Sequence, residues 1–156
     1  MSGALAKVRY AVGLCLDHDR RRVLLVRKTR PTHLADRLNA IGGHVEPMDR
    51  DDLSAMRREW AEEVGGVVTT PWRQLATLSL PAADVVVFVA TADSGALARK
   101  HLAFNDAGER LELVRVDQME REAVVSDVRW LVPLATHQPA TYTPFTAIEE
   151  KSGAAG

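Results

Sequence analysis

Absences narrow the function of this chain before any motif is read. It has one cysteine, Cys15, so no disulfide framework can form within it, and the apolar run around that residue reads as a strand holding a buried, reduced thiol. No cluster of Cys and His offers the ligand set of a zinc site. No stretch of about 20 apolar residues is available to span a bilayer, and the first residues lack the apolar core of an export signal. The expectation is therefore no membrane partner and a cytoplasmic location. Excess charge of either sign is also missing, because 20 Lys and Arg stand against 21 Asp and Glu for a net charge of −1. That balance gives no global basic footprint for long nucleic acids and suits a small anionic ligand better.

With 156 residues, one sizeable core can be buried, whereas two domains would each be small. We expect a single domain over 1–151, monomeric or homodimeric, and a disordered small-residue tail at 152–156. No internal repeat is evident. Residues 8–17 read as a strand, 18–22 as a polar turn and 23–28 as the hairpin partner. Further β-rich runs lie at 72–80, 84–91 and 111–116, with a short strand expected at 128–131. A late helix is expected at 132–137 or 145–151, and 92–108 reads as a long functional loop. Strands on both sides of one acidic helix predict an α/β/α sandwich around a mixed β-sheet.

The acidic helix carries most of the information. Residues 53–64 contain no Pro or Gly, follow Asp51 and Asp52 as N-cap candidates, and end before Gly65. Leu53, Met56, Trp60 and Val64 share one stripe, and Glu59, Glu62 and Glu63 share the next. Like charges at this spacing cost an isolated helix roughly 0.2–0.5 kcal/mol per pair, so a cation is expected beside them. Oxygen-only donors suit Mg2+, with Mn2+ as a substitute. Just upstream, Gly42 and Gly43 follow an apolar stretch and allow the main chain to come close to such an ion. A solvated acidic face is the competing explanation of the stripe. The glycine pair beside it favours the metal.

These residues resemble the Nudix box, G-x5-E-x7-R-E-U-x-E-E-x-G-U with U apolar. Gly43, Arg58, Glu59, Trp60, Glu62, Glu63 and Gly65 match it. Asp49 stands where a loop Glu is expected, eight residues rather than seven separate it from Arg58, and Gly66 takes the last apolar position. The resemblance implies the Nudix α/β/α fold and metal-assisted cleavage of a diphosphate linkage. It implies Glu62 and Glu63 as metal ligands, Glu59 as a ligand or an activator of water, the Gly42 carbonyl as a ligand, and Arg58 as an organiser of the loop through Asp49. A further acid beyond the box is expected at Glu109, with Glu112 next.

Substrate-contacting residues are expected elsewhere. The segment RLNAIGGHVEP is similar to one in MutT-like nucleoside triphosphate pyrophosphohydrolases, which makes Asn39 a base-reading candidate; its alternative is an Asn bonding nearby backbone. Asp127, three residues before Trp130, is similarly placed to a base-binding acid of that group, although Ser126 replaces the second acid of the pair. Gly43 is a further substrate-binding candidate. Strand alternation sends Arg27 and Lys28 to opposite faces, so at most one of them is expected to enter the substrate cleft, and Arg27 is the residue selected. His44 stands where Lys is common in the family. Arg20, Arg21 and Arg22 read as decoration of a turn, and Trp72 and Trp130 as core. The leading expectation is hydrolysis of a nucleoside triphosphate, with an oxidised purine among the candidate bases, to monophosphate and pyrophosphate. Pro81, fifteen residues beyond Gly66, resembles a marker of ADP-ribose pyrophosphatases and supports a second reading that includes nucleotide sugars. A nucleotide-binding sensor that does not cleave is the third.

Overall fold

The computed structural model describes residues 6–138 and 142–150; the tail expected at 152–156 lies outside them. Strand β1 (Val8–Asp17) is the axis of the sheet. It pairs antiparallel with β2 (Arg22–Arg27) and β4 (Ile41–His44), and parallel with β6 (Ala83–Ala92). Beyond β6 lie β5 (Arg73–Ser79), antiparallel to it, and β8 (Phe145–Ile148), parallel to β5. On the other side β2 carries the short β3 (Leu38–Asn39) and β7 (Arg110–Arg115), both antiparallel. The sheet is therefore mixed.

Alternation along these strands builds two cores. Ala11, Cys15, Leu24, Val26, Val86 and Phe88 face one side, where Ala55, Met56 and Trp60 of helix α1 (Asp52–Glu63) cover them. Leu14, Leu16, Leu25, Leu75 and Val87 face the other, under Val128, Leu131, Val132 and Ala135 of α3 (Ser126–Thr136). Helices on both faces make the α/β/α sandwich of the Nudix fold. Each large apolar side chain buried in this way contributes about 1.5–3 kcal/mol. Among the described residues, no helix is long and apolar enough to cross a membrane.

Local chemistry sets the start of α1. The Asp51 carboxylate accepts the Ser54 N–H at 2.7 Å, which satisfies one of the free donors of the first turn. The later half of the chain departs from expectation. Residues 128–131 are helical rather than extended, because Val128, Leu131, Val132 and Ala135 recur at the helical spacing and all four are buried. Pro133 is accommodated within that helix. Residues 145–148 form β8 instead of a helix. The expected loop at 92–108 contains a short helix, α2 (Ser94–Ala98), whose N-cap Asp93 accepts from Ala96 N at 2.9 Å. Trp130, expected in the core, is 41% exposed, whereas Trp72 is buried edge-on against Trp60.

Candidate active site

The glycine pair lets helix α1 and the sheet touch. A Cβ on Gly42 would lie 2.2 Å from the Ala11 carbonyl oxygen, and one on Gly43 would lie 2.6 Å from a Glu59 carboxylate oxygen. Any side chain at Gly43 would push Glu59 away from β4. Arg58 then fixes the connecting loop. Its guanidinium donates to both Asp49 oxygens at 3.0 and 2.9 Å, to the His44 carbonyl at 3.1 Å and to Glu59 at 2.9 Å. Asp49 also accepts from Glu46 N at 2.8 Å, closing the turn. The shorter acid and the extra loop residue thus still meet Arg58, and this bonding holds the Asp49 carboxyl below its ordinary pKa. His44 stacks its ring obliquely against Tyr10 at 4.5 Å.

Glu63 lies deeper. Its Oε2 is buried and has no hydrogen-bond partner. Burial pushes its pKa up to about 7; Lys28 opposes the shift, while Glu59, Glu109 and Glu62 add to it. Glu109, itself 5% exposed, accepts from Lys28 Nζ at 3.2 Å and from Thr29 N at 3.1 Å. Its loop is closed by Glu109 N donating to Asn105 Oδ1 at 2.9 Å. Glu62 is more open, with 59% of its side chain exposed, and it approaches Arg58 at 3.6 Å. Four carboxylates and one lysine therefore share this face.

These donors fit a hard divalent cation. All are oxygens, one of them is buried without a partner, and mutual repulsion raises the proton affinity of Glu63. As they stand they are not a closed ligand cage: among the described residues, no three His, Cys, Asp or Glu side chains converge on one point.

The remaining candidates divide. Arg27 points to the opposite face, forming a two-pronged ion pair with Glu112, one contact of which is Nη2 to Oε1 at 2.9 Å. Glu112, held below its ordinary pKa chiefly by Arg27, stands apart from the acid cluster. The face choice was hidden in the sequence, since Val23 to Val26 are buried on both sides of the sheet. Lys28, not Arg27, is thus the cation brought to the acids. Asn39 accepts its neighbour's Ala40 N–H at 2.8 Å, the local bond of its structural alternative. Asp127 sits in the first turn of α3, and the segment leading to it runs beside β3 through Val125 N to Leu38 O at 2.9 Å. Both residues therefore lie toward one end of the sheet. Pro81 is exposed in the β5–β6 turn.

An α/β/α sandwich with an acidic helix packed on a glycine pair is the arrangement expected of a Nudix domain. The NUDIX domain model matches residues 7–144, and the chain belongs to that family. Nudix enzymes generally use a divalent metal such as Mg2+. Among solved structures, the fold is similar to that in a study of MutT from Aliivibrio salmonicida and Vibrio cholerae, with a TM-score of 0.62 and 16% identity over 86% of this chain and 100% of that one. It is also similar to the NUDIX domain of Shewanella oneidensis NrtR complexed with ADP ribose, with a TM-score of 0.69 and 17% identity over 84% of this chain and 87% of that one. The MutT protein of Bacillus halodurans gives 0.58 at 19% identity, over 84% and 83% of the two chains. No functionally curated protein matches the chain.

Proposed function

We propose that this protein is a Mg2+-dependent nucleotide pyrophosphohydrolase that converts a nucleoside triphosphate to a monophosphate and pyrophosphate. The observation that carries the reading is the buried, unpartnered Oε2 of the half-buried Glu63, grouped with Glu59, Glu62 and Glu109. Those four acids and the Gly42 carbonyl would hold the metal, with Mn2+ as a substitute. When bound, the metal supplies charge neutralisation on the diphosphate and orientation of water for in-line attack. Water adds across the phosphoanhydride, one P–O bridging bond breaks, pyrophosphate leaves, and a carboxylate of α1 accepts the proton of the attacking water. Arg58 positions Glu59 and the loop rather than the substrate. Lys28 offsets the charge of Glu109 and faces the anionic substrate. Gly43 leaves room for phosphate, while Asn39 and Asp127 are proposed to contact the base.

The likeness to a NUDIX domain that binds ADP ribose favours a second reading, cleavage of ADP-ribose or a nucleotide sugar. A sensor that binds without cleaving is a third outcome. Product analysis with Mg2+ across canonical and oxidised triphosphates, ADP-ribose and nucleotide sugars, with Glu63→Gln as control, separates all three. Pyrophosphate release from triphosphates, lost in the variant, is the expected result. Preferential ADP-ribose cleavage would promote the second reading, and nucleotide binding without turnover in the wild type would overturn enzymatic function.

A further inference from the structure

The β1–β2 turn and the end of β7 meet in a cleft of about 580 Å3 lined by Arg20, Arg21, Arg22, Arg115, Asp117 and His137, among others. It lies at the far end of β2 from Lys28, about 20 Å from the acid cluster at roughly 3.3 Å per strand residue. The volume is in the range of small-molecule sites. Four arginines and one aspartate are among the residues of this lining, which has no Trp, Tyr or Phe.

The turn is built rather than loose. Buried Asp17 accepts the N–H groups of Arg21 and Arg22 at 2.9 and 3.2 Å, and its carbonyl accepts from Arg20 N at 2.9 Å. Arg20 adopts a left-handed φ of 57° and donates to the carbonyls of Thr136 and Gln138 at 3.3 and 3.0 Å, clamping the turn to the end of α3. Three consecutive arginines are thus held beside the cleft. Arg22 stands directly opposite Arg115 in the β2–β7 register, a like-charged cross-strand pair that destabilises a sheet. Arg115 is drawn off by Asp117 at 2.6 Å, whereas the guanidiniums of Arg21 and Arg22 have no ion-pair partner among the described residues. Asp17 and the exposed Asp19 are the acids of the turn itself, and Glu112 and Glu122 line the adjoining cleft that Arg22 and Arg115 also border. An anion in the cleft would relieve this repulsion, and guanidiniums match phosphate oxygens in a bidentate way.

We propose that this cleft is a second anion site, separate from the acid cluster, that takes a small phosphate-class polyanion. The probe is inorganic tripolyphosphate, titrated calorimetrically into the full chain in EDTA, where the carboxylate face has no metal and repels anions. One site is expected in the wild type. Arg21→Gln/Arg22→Gln should weaken it at least tenfold and Arg115→Gln to a smaller degree, with unchanged melting curves. Glu62→Gln/Glu63→Gln should leave it intact. Absence of binding, insensitivity to the arginine substitutions, or loss in the glutamate variant would each overturn the proposal. Equal binding of citrate would remove the phosphate class, and tighter binding of a twelve-residue oligothymidylate would replace the small ligand by a nucleic-acid backbone.

Discussion

Arg27 at the end of β2 and Lys28 just after it make two cation–carboxylate pairs with opposite character. On one face of the sheet Arg27 grips Glu112 with two prongs, Arg110 adds a contact at 3.3 Å, and the Glu112 carboxyl is held below its ordinary pKa. On the other, Lys28 reaches Glu109 at 3.2 Å as a single point charge, in the company of a second buried carboxylate whose Oε2 has no partner at all. The first pair is mutually satisfied. The second is under-neutralised, which makes its face receptive to a cation. Similar ingredients thus serve cohesion on one face and leave uncompensated negative charge on the other, and the number of surrounding acids decides which.

Removing the reactive acids should have the largest effect. Glu63→Gln and Glu62→Gln should each lower turnover roughly 100-fold or more while keeping the melting transition; near-normal rates in both would sink the metal assignment. The two cations sharpen the contrast directly. Lys28→Ala should reduce kcat/KM about tenfold or more and also lower stability in urea, because it leaves the buried Glu109 carboxylate without a cation and with the Thr29 N–H as its remaining partner. Arg27→Ala should cost stability alone: it removes the principal partner of a half-buried carboxylate, costs about 1–3 kcal/mol, and leaves turnover per folded molecule unchanged. Equal losses from both substitutions in both assays would erase the distinction between the faces.

A test of intermediate size is Gly43→Ala, whose methyl group would press on the movable end of Glu59 2.6 Å away. Activity should fall several-fold with the fold retained, and stronger Mg2+ should not restore it. The smallest effect concerns acid. Glu112 titrates below its ordinary 4.5 in the folded protein, so its stabilisation is complete above that pH and is lost as pH falls through the folded value. The stability gap between wild type and Glu112→Gln should therefore be constant near neutrality and narrow in acid; a gap that widened there would contradict the pairing.

Local patterns made much of this legible in the sequence. The strand expected at 8–17 is β1 residue for residue, and the helix expected at 53–64 is displaced by one, because capping residues and unbroken periodicity mark both. The second half of helix α3 was legible in the helix expected at 132–137, but its first half was not: the apolar residues of 128–131 read as a strand, and packing against Leu14, Leu25 and Val87 selects the helical period there. Strand β8 similarly depends on a distant parallel partner, β5. Within the site, the acids on one helix could be grouped from spacing alone. The choice of Lys28 over Arg27 could not, since a strand buried on both faces carries no mark of which face meets the helix.

Arg58 joins two segments that would otherwise open separately. Its bonds to Asp49 and the His44 carbonyl fasten the 44–49 turn to a helix whose underside is packed on the sheet through Met56 and Trp60. The amide protons of Glu46 and Asp49 should then exchange with solvent deuterium through the same cooperative opening as those of α1, although the turn between them is exposed. In Arg58→Met the two sets of amides should part company, the turn exchanging orders of magnitude faster while the helix keeps its protection. A single guanidinium would in that case set the boundary of the smallest unit that this protein unfolds.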